Sequence, residues 1–482
     1  MVELLDYPGS DQAIVSRYTP TNPERPRGRP SRTSWLPRTR WLTALAVALA
    51  LCCGGPIGCT RQAPHVYKAR DEIQELPEKQ RTEIAQALTH YFGTPARPRY
   101  LMPAAVTAAS TAAADSTADS ADSAESSVGS DGSGQSTDPA GSTEPTAFLT
   151  ALAKLPAQDR FAAQYQGDSF YLRRGAESYI RLCAPCHGIT GDGKGEAAEY
   201  LDPPPRDYRL GKFKFTSTPR SYKPRRVDLQ RIVRYGAKGT SMPAFRWLPA
   251  DEVEAILDYV VVLSSRGELE LAMIRDARDE LEETDSFPPS MVASNVTRID
   301  QSWREADSMK VVPLSPPTVA SEESIRAGAK AFVQLNCYKC HGKDGKGNKA
   351  FDVGKDDWGR IAYAADLTSG TLHGGRRPID IYRRIYSGIN ATPMPAFSQP
   401  DSSQGETVEQ RSATIWNLVH FVTSVVEGRP LPMDVIEHAI PPEAAPATGA
   451  SEAPSAEASS AEASSAEASS ASSAPPASSE EQ

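Results

Sequence analysis

Cys183-Ala184-Pro185-Cys186-His187 and Cys337-Tyr338-Lys339-Cys340-His341 decide how the rest of this 482-residue chain is read. In each stretch two thiols stand three residues apart with an imidazole on the next residue. At that spacing both sulfurs can bond the two vinyl groups of one haem while the histidine reaches the iron from one face. A Cys2His start can also open a tetrahedral zinc site, but zinc needs a fourth donor. Neither motif has another cysteine in its neighbourhood, and apart from His341 itself no histidine lies between His187 and His373. A redox-active Cys-x-x-Cys pair is the remaining alternative.

Working outward, an iron that only shuttles electrons needs a sixth ligand, and a thioether favours its ferrous form. Met242, in Ser241-Met242-Pro243-Ala244-Phe245, follows His187 by 55 residues; Met394, in Pro393-Met394-Pro395-Ala396-Phe397, follows His341 by 53. Methionine is ordinarily a filler of core gaps, and that role is kept for Met273, Met291, Met309 and Met433. The repeated context singles out Met242 and Met394. His373 and His420 stay open as rivals in the second segment, although His420 falls on an apolar helix where packing is the simpler role.

Motif and methionine belong to a longer repeat. Residues 169–266 and 321–426 run through the same parts: a helix with a glycine and an aromatic (Gly175 and Tyr179; Gly328 and Phe332), Cys-x-x-Cys-His-Gly, a Gly/Asp loop, a variable region, Met-Pro-Ala-Phe and an apolar helix. The closing helices are predicted over 250–264 and 409–426, with Val253, Ile256, Leu257, Val260 and Leu263 on one face and Ile415, Leu418, Val419 and Val422 on the other's. Shorter amphipathic helices stop at Gly236 and Gly388 and deliver the chain into each methionine loop.

On these residues the two segments resemble class I c-type cytochromes fused as a di-haem protein, over roughly 200 residues. The resemblance implies an all-α fold around two covalently bound haem c groups. Cys183, Cys186, Cys337 and Cys340 would be the thioether attachments, His187 and His341 the proximal iron ligands, and Met242 and Met394 the distal ones. It also implies that the glycine and aromatic of each first helix meet the closing helix, and that haem is attached outside the cytoplasm.

Composition bounds the remainder. Only 39% of the chain is hydrophobic, and residues 104–146 and 441–482 consist almost entirely of small, polar and acidic residues with no Lys or Arg. Such stretches cannot bury enough apolar surface to offset chain entropy and are predicted to be disordered. Each holds seven acids, so removing their −14 from the formal −9 leaves a mildly basic +5 for the rest. No nucleic-acid-reading motif accompanies that charge, and nucleic acid is excluded as a partner. Residues 206–238 carry eleven Lys or Arg against Asp207 and Asp228. A solvated face, cations for haem propionates, and a surface that steers an acidic redox partner are the three readings of this run.

At the amino terminus, arginines from Arg25 to Arg40 precede an uncharged stretch, 41–58, whose apolar part over 41–51 has the length of a signal-peptide core. Ile57-Gly58-Cys59 resembles a bacterial lipoprotein processing site with the lipid on Cys59, although Pro56 replaces the usual leucine. Lipid attachment, an uncleaved helix and plain secretion all imply export, to the periplasm or the outer face of the cytoplasmic membrane. The predicted map is 1–59 signal, anchor or lipoprotein region; 60–103 short helical segment; 104–150 linker; 165–268 first cytochrome c domain; 269–318 connection; 319–430 second cytochrome c domain; 441–482 tail.

The expected function is electron transfer between redox proteins of a respiratory chain. The arrangement resembles di-haem subunits or donors of bacterial haem-copper oxidases, which implies a terminal oxidase as one partner and a membrane attachment through the amino terminus. No catalytic residue is assigned. A di-haem peroxidase, or a haem-dependent dehydrogenase of a small substrate, needs an iron with an open or displaceable position, whereas both segments offer a methionine. A haem-based sensor would need a signalling domain that the chain does not display.

Overall fold

The computed structural model describes residues 65–103, 146–161 and 169–440. The expected export segment with Cys59, the linker over 104–145 and the tail over 441–482 lie outside the described residues. The first element is helix α1 (Glu78–Phe92), which buries Ile84, Leu88, Tyr91 and Phe92 on one face. A small hairpin, β1 (Gly93–Thr94) with β2 (Arg97–Pro98), follows it. Strand β3 (Leu101–Pro103) then pairs antiparallel with β4 (Ala157–Asp159), Leu101 opposite Asp159 and Met102 opposite Gln158. Helix α2 (Ala147–Lys154) precedes β4; the Thr146 hydroxyl caps it by accepting the Leu149 N–H at 3.2 Å. This helix starts inside the stretch assigned to linker, because Phe148 and Leu152 end the low-complexity composition and give it an apolar face to bury.

The first repeat comprises α3 (Ser169–Leu182), α4 (Ala184–His187), α5 (Arg226–Tyr235) and α6 (Ala250–Asp279), followed by α7 (Pro289–Glu305). The second comprises α8 (Glu322–Gln334), α9 (Cys337–His341), α10 (Pro378–Ser387) and α11 (Val408–Val426), and α12 (Met433–Ala439) ends the described chain. Each repeat is built on a crossing of its first and last helices. A methyl group on Gly175 would overlap the Ala255 carbonyl, and one on Gly328 the Asn417 carbonyl, so only glycine permits either approach. Beside each glycine an aromatic pair fills the crossing: Tyr179 with Tyr259 at 5.3 Å between centroids, Phe332 with Phe421 at 5.2 Å. The α fold is thus present in both repeats; among the described residues, paired strands form the two short ladders of the amino-terminal piece, and Lys355 and Ile361 make one isolated bridge.

Helix α6 runs fifteen residues past Ser264, where periodicity ends it. Leu269, Met273, Ile274 and Ala277 continue its apolar stripe, and Gly267 lies against the Arg209 backbone. The overrun carries α1 and α7. Arg70 donates its N–H to Glu270 at 3.0 Å and its guanidinium to the Arg209 carbonyl at 2.9 Å, and Glu83 accepts the Phe287 N–H at 2.9 Å. Much of the 269–318 segment is therefore helix packed on the first domain rather than a free connection. No helix among the described residues is long and apolar enough to cross a membrane.

Candidate haem sites

Both Cys-x-x-Cys-His motifs sit where one helix ends and a short one begins. The His187 N–H reaches the Cys183 carbonyl at 2.8 Å, closing the first motif into a single turn. Asn336, with φ 58°, turns the chain into Cys337 in the second. His187 Nδ1 lies 3.2 Å from the Arg206 carbonyl, and His341 Nδ1 lies 3.1 Å from the Ala365 carbonyl. A carbonyl can only accept, so Nδ1 carries the proton and Nε2 keeps its lone pair, the tautomer a metal ligand needs. Burial lowers His187 to about 4 and lowers His341 as well, which keeps both rings neutral near pH 7.

The four cysteines of the motifs are unpaired. Burial pushes the Cys183 and Cys337 thiols up to about 12. A redox-active pair needs a lowered thiol pKa, so these thiols disfavour that alternative. Among the described residues no group of three or more His, Cys, Asp or Glu side chains is placed to hold a metal ion, which leaves the zinc reading without its fourth donor. An aromatic column backs the first motif, His187 stacking on Tyr208 at 4.7 Å and Tyr208 on Phe213 at 5.9 Å.

The two methionine loops are built alike. Helix α5 stops at Gly236 (φ 68°) and α10 at Gly388 (φ 67°), with the carbonyls of Met242 and Met394 2.6 and 2.7 Å from where a Cβ would stand. Positive φ and this close return both require glycine. The Phe245 N–H bonds the Val233 carbonyl at 3.0 Å, and the Phe397 N–H bonds the Ile385 carbonyl at 3.1 Å. Thr240 and Thr392 each accept the N–H of the methionine two residues on, at 3.1 and 3.3 Å. Both methionines are partly buried.

His420 is buried with both ring nitrogens engaged, Nδ1 on the Ser324 hydroxyl at 2.9 Å and Nε2 on the Thr318 carbonyl at 3.0 Å, so it packs. His373 is exposed, and its Nδ1 meets the Lys238 carbonyl of the first domain at 2.6 Å. The basic run 206–238 divides: Arg206, Lys212, Lys214, Arg220 and Arg231 meet the second domain, while Arg209, Lys223 and Arg226 pair with acids of the first. Arg231 forms a two-pronged pair with Asp380 at 2.5 Å per bond; Lys214 reaches Asp356 at 3.3 Å; Lys212 pairs with Asp357. Arg206 lies 3.9 Å over the ring of Trp358, whose indole N–H donates to the Asp207 carbonyl at 3.1 Å. For the cations that meet the second domain, the boundary contact replaces the solvated face and the steering surface. The acids that receive them, Asp356, Asp357 and Asp380, sit in the second segment.

Sequence reading also passed over an exposed basic patch. Lys339, Lys343, Lys346 and Lys349 surround the second motif, all exposed, with Asp344 the acid between them.

The residues present fit two haem c groups: paired thiols on a one-turn helix, a neutral imidazole with a free Nε2, and a thioether loop in each domain. Arg206 Nη1 adds a buried donor with no hydrogen-bond partner, of the kind a propionate accepts from. Residues 171–260 match the family model described as cytochrome c oxidase, cbb3-type, subunit III, and residues 325–425 match the model described as cytochrome c. Among solved structures, a chain of the Kuenenia stuttgartiensis reducing HAO-like protein complex is 28% identical over 52% of this chain and 95% of its own, with a TM-score of 0.39. Comparison with curated proteins found no match.

Proposed function

We propose that this chain, whose two domains match cytochrome c-type family models and fit one covalently bound haem c each, carries electrons between redox proteins of a respiratory chain, toward a terminal oxidase. One observation carries this reading. The same methionine loop, closed by the same backbone bonds, is present in both domains. Met242 and Met394 would be the distal ligands and His187 and His341 the proximal ones, which would leave neither iron a position for a substrate. The haem supplies a one-electron ferric/ferrous couple. The chain's own residues hold it: Cys183, Cys186, Cys337 and Cys340 by thioether bonds, the Arg206 and Ala365 carbonyls by fixing each histidine ring.

The match of the first domain to an oxidase subunit model supports the oxidase as partner. The lysines around the second motif supply a docking surface for an acidic redox protein, with an association rate that falls as salt rises. The uncharged segment 41–58, apolar over 41–51, and Cys59 support export and attachment at the outer face of the cytoplasmic membrane. Stopped-flow oxidation of the ferrous protein tests the proposal. Fast, salt-sensitive oxidation by membranes containing a haem-copper oxidase, with no turnover of hydrogen peroxide or of a small reductant, is expected. Turnover of peroxide at a high-spin haem would overturn it in favour of a peroxidase. A diacylglycerol-bearing amino-terminal peptide beginning at Cys59 is the corresponding expectation from mass spectrometry, and an unmodified Cys59 in soluble protein contradicts the lipid attachment.

A further inference from the structure

Arg220 belongs to the first domain, yet its guanidinium serves the methionine loop of the second. Nη1 donates to the Met394 carbonyl at 2.6 Å and to the Ile389 carbonyl at 3.4 Å, and Nη2 donates to the Thr392 carbonyl at 2.8 Å. The next residue, Ser221, has φ 74°, a left-handed conformation that costs a non-glycine residue free energy and persists where its surroundings demand it. There its N–H donates to Asn390 Oδ1 at 2.8 Å. Asn390 is buried and returns hydrogen bonds to Thr216 Oγ1 at 3.5 Å and the Tyr222 carbonyl at 3.4 Å. Ala391, the neighbouring residue, is also left-handed, with φ 59°. Ile389, Asn390, Thr392 and Met394 are thus all bonded to the first domain. The methionine loop of the first domain is held less by the second: there His373 bonds the Lys238 carbonyl at 2.6 Å.

From this arrangement we infer that Arg220 is a positioning residue for the distal ligand of the second haem: the first domain holds the Met394 loop in place, and the ligation and potential of the second haem depend on that hold. The inference rests on the proposed role of Met394 as that ligand. A guanidinium is a rigid fork, able to satisfy several carbonyls at fixed angles where an ammonium presents a point charge. Bound to the Ile389 and Thr392 carbonyls ahead of the methionine and to the carbonyl of Met394 itself, it opposes the outward swing of the loop that would release sulfur from iron. Its charge also favours the ferrous state, which carries one positive charge fewer. Both effects raise the potential of the second haem.

The test uses the full chain with both haems and compares Arg220→Gln and Arg220→Lys with the parent. The readouts are the iron-to-sulfur absorption band of the ferric protein as pH is raised, and a spectroelectrochemical titration that resolves the two haems. In Arg220→Gln the band of the second haem should vanish about one pH unit earlier, roughly a tenfold change in the ligand-exchange equilibrium and the scale of one charge-assisted hydrogen bond. Its potential should fall while the band of the first haem stays. Arg220→Lys should recover part of the potential and none of the pH midpoint. A parent-like midpoint in Arg220→Gln, or full recovery of both properties by lysine, overturns the positioning role and leaves Met394 as ligand untouched. A parent protein showing the sulfur band for the first haem alone overturns the role of Met394 and this inference with it.

Discussion

Replacing Asp380 by asparagine should weaken the molecule more than removing the arginine that faces it from the other domain. The Asp380 side chain is 2% exposed; it takes both prongs of Arg231 at 2.5 Å and of Arg377, at the start of its own helix, at 3.0 Å. Burial opposes ionisation of this carboxyl, but the hydrogen bonds from Arg231 and Arg377 outweigh it and hold the group below its usual range. Asparagine keeps the shape, loses the charge, and points an amide donor at a guanidinium. Stripping one partner from a buried pair costs about 3–5 kcal/mol. Arg231 keeps 32% of its side chain in water and Arg377 49%, so both cations rehydrate in part and a loss of about 2–3 kcal/mol is expected. Arg231→Ala leaves Asp380 bound to Arg377 and should cost about 1 kcal/mol.

The assay is the urea midpoint of the haem-loaded protein at constant slope. Its pH dependence gives a second check. A carboxyl whose folded pKa is depressed contributes stability that is complete above its unfolded value, near about 3.9, and is lost as pH falls through the folded one. The parent should therefore exceed Asp380→Asn at neutral pH, and the two should converge in acid below about pH 4. Equal midpoints at neutral pH, or a gap that survives unchanged in acid, would refute the reasoning.

Three further outcomes follow from the same contacts. Gly175→Ala and Gly328→Ala each drive a methyl group into a carbonyl of the crossing helix and should cost about 1–3 kcal/mol, read as a lowered Tm, with the haem count unchanged. Cys183→Ala should leave its haem on a single thioether bond, seen as a shifted pyridine-haemochrome maximum, whereas changing Cys183 and Cys186 together should release that haem to acidified solvent. Reversing the charge of Lys339, Lys343, Lys346 and Lys349 should slow reduction of an acidic partner about tenfold or more at low salt, the difference disappearing near 1 M salt, where the screening length is about 3 Å.

What was legible in the sequence is what local spacing determines. Cys183 to His187 is one turn, and the glycine stop, threonine and methionine of each loop lie within a few residues, so motif and loop could be recognised side by side in the two segments. Gly175 and Gly328 needed the family resemblance, since nothing nearby says which backbone a helical glycine will approach. The length of α6 was misjudged because Leu269, Met273, Ile274 and Ala277 have no apolar purpose until α1 and α7 are brought against them. The destination of the basic run was hidden for the same reason: Arg231 and Asp380 are 149 residues apart, and a cation paired across a domain boundary reads like one facing water. Arg220 is the extreme case, its three carbonyl acceptors carrying no side-chain signal at all.

One optical experiment on the purified oxidised protein decides whether it holds two six-coordinate haems that transfer electrons without binding substrate. Covalent haem is counted per chain and the near-infrared-edge absorption is searched for the iron-to-methionine-sulfur band. Two haems, both low-spin with histidine and methionine ligands, are the expected result; one haem that is high-spin or lacks the sulfur band would contradict the account.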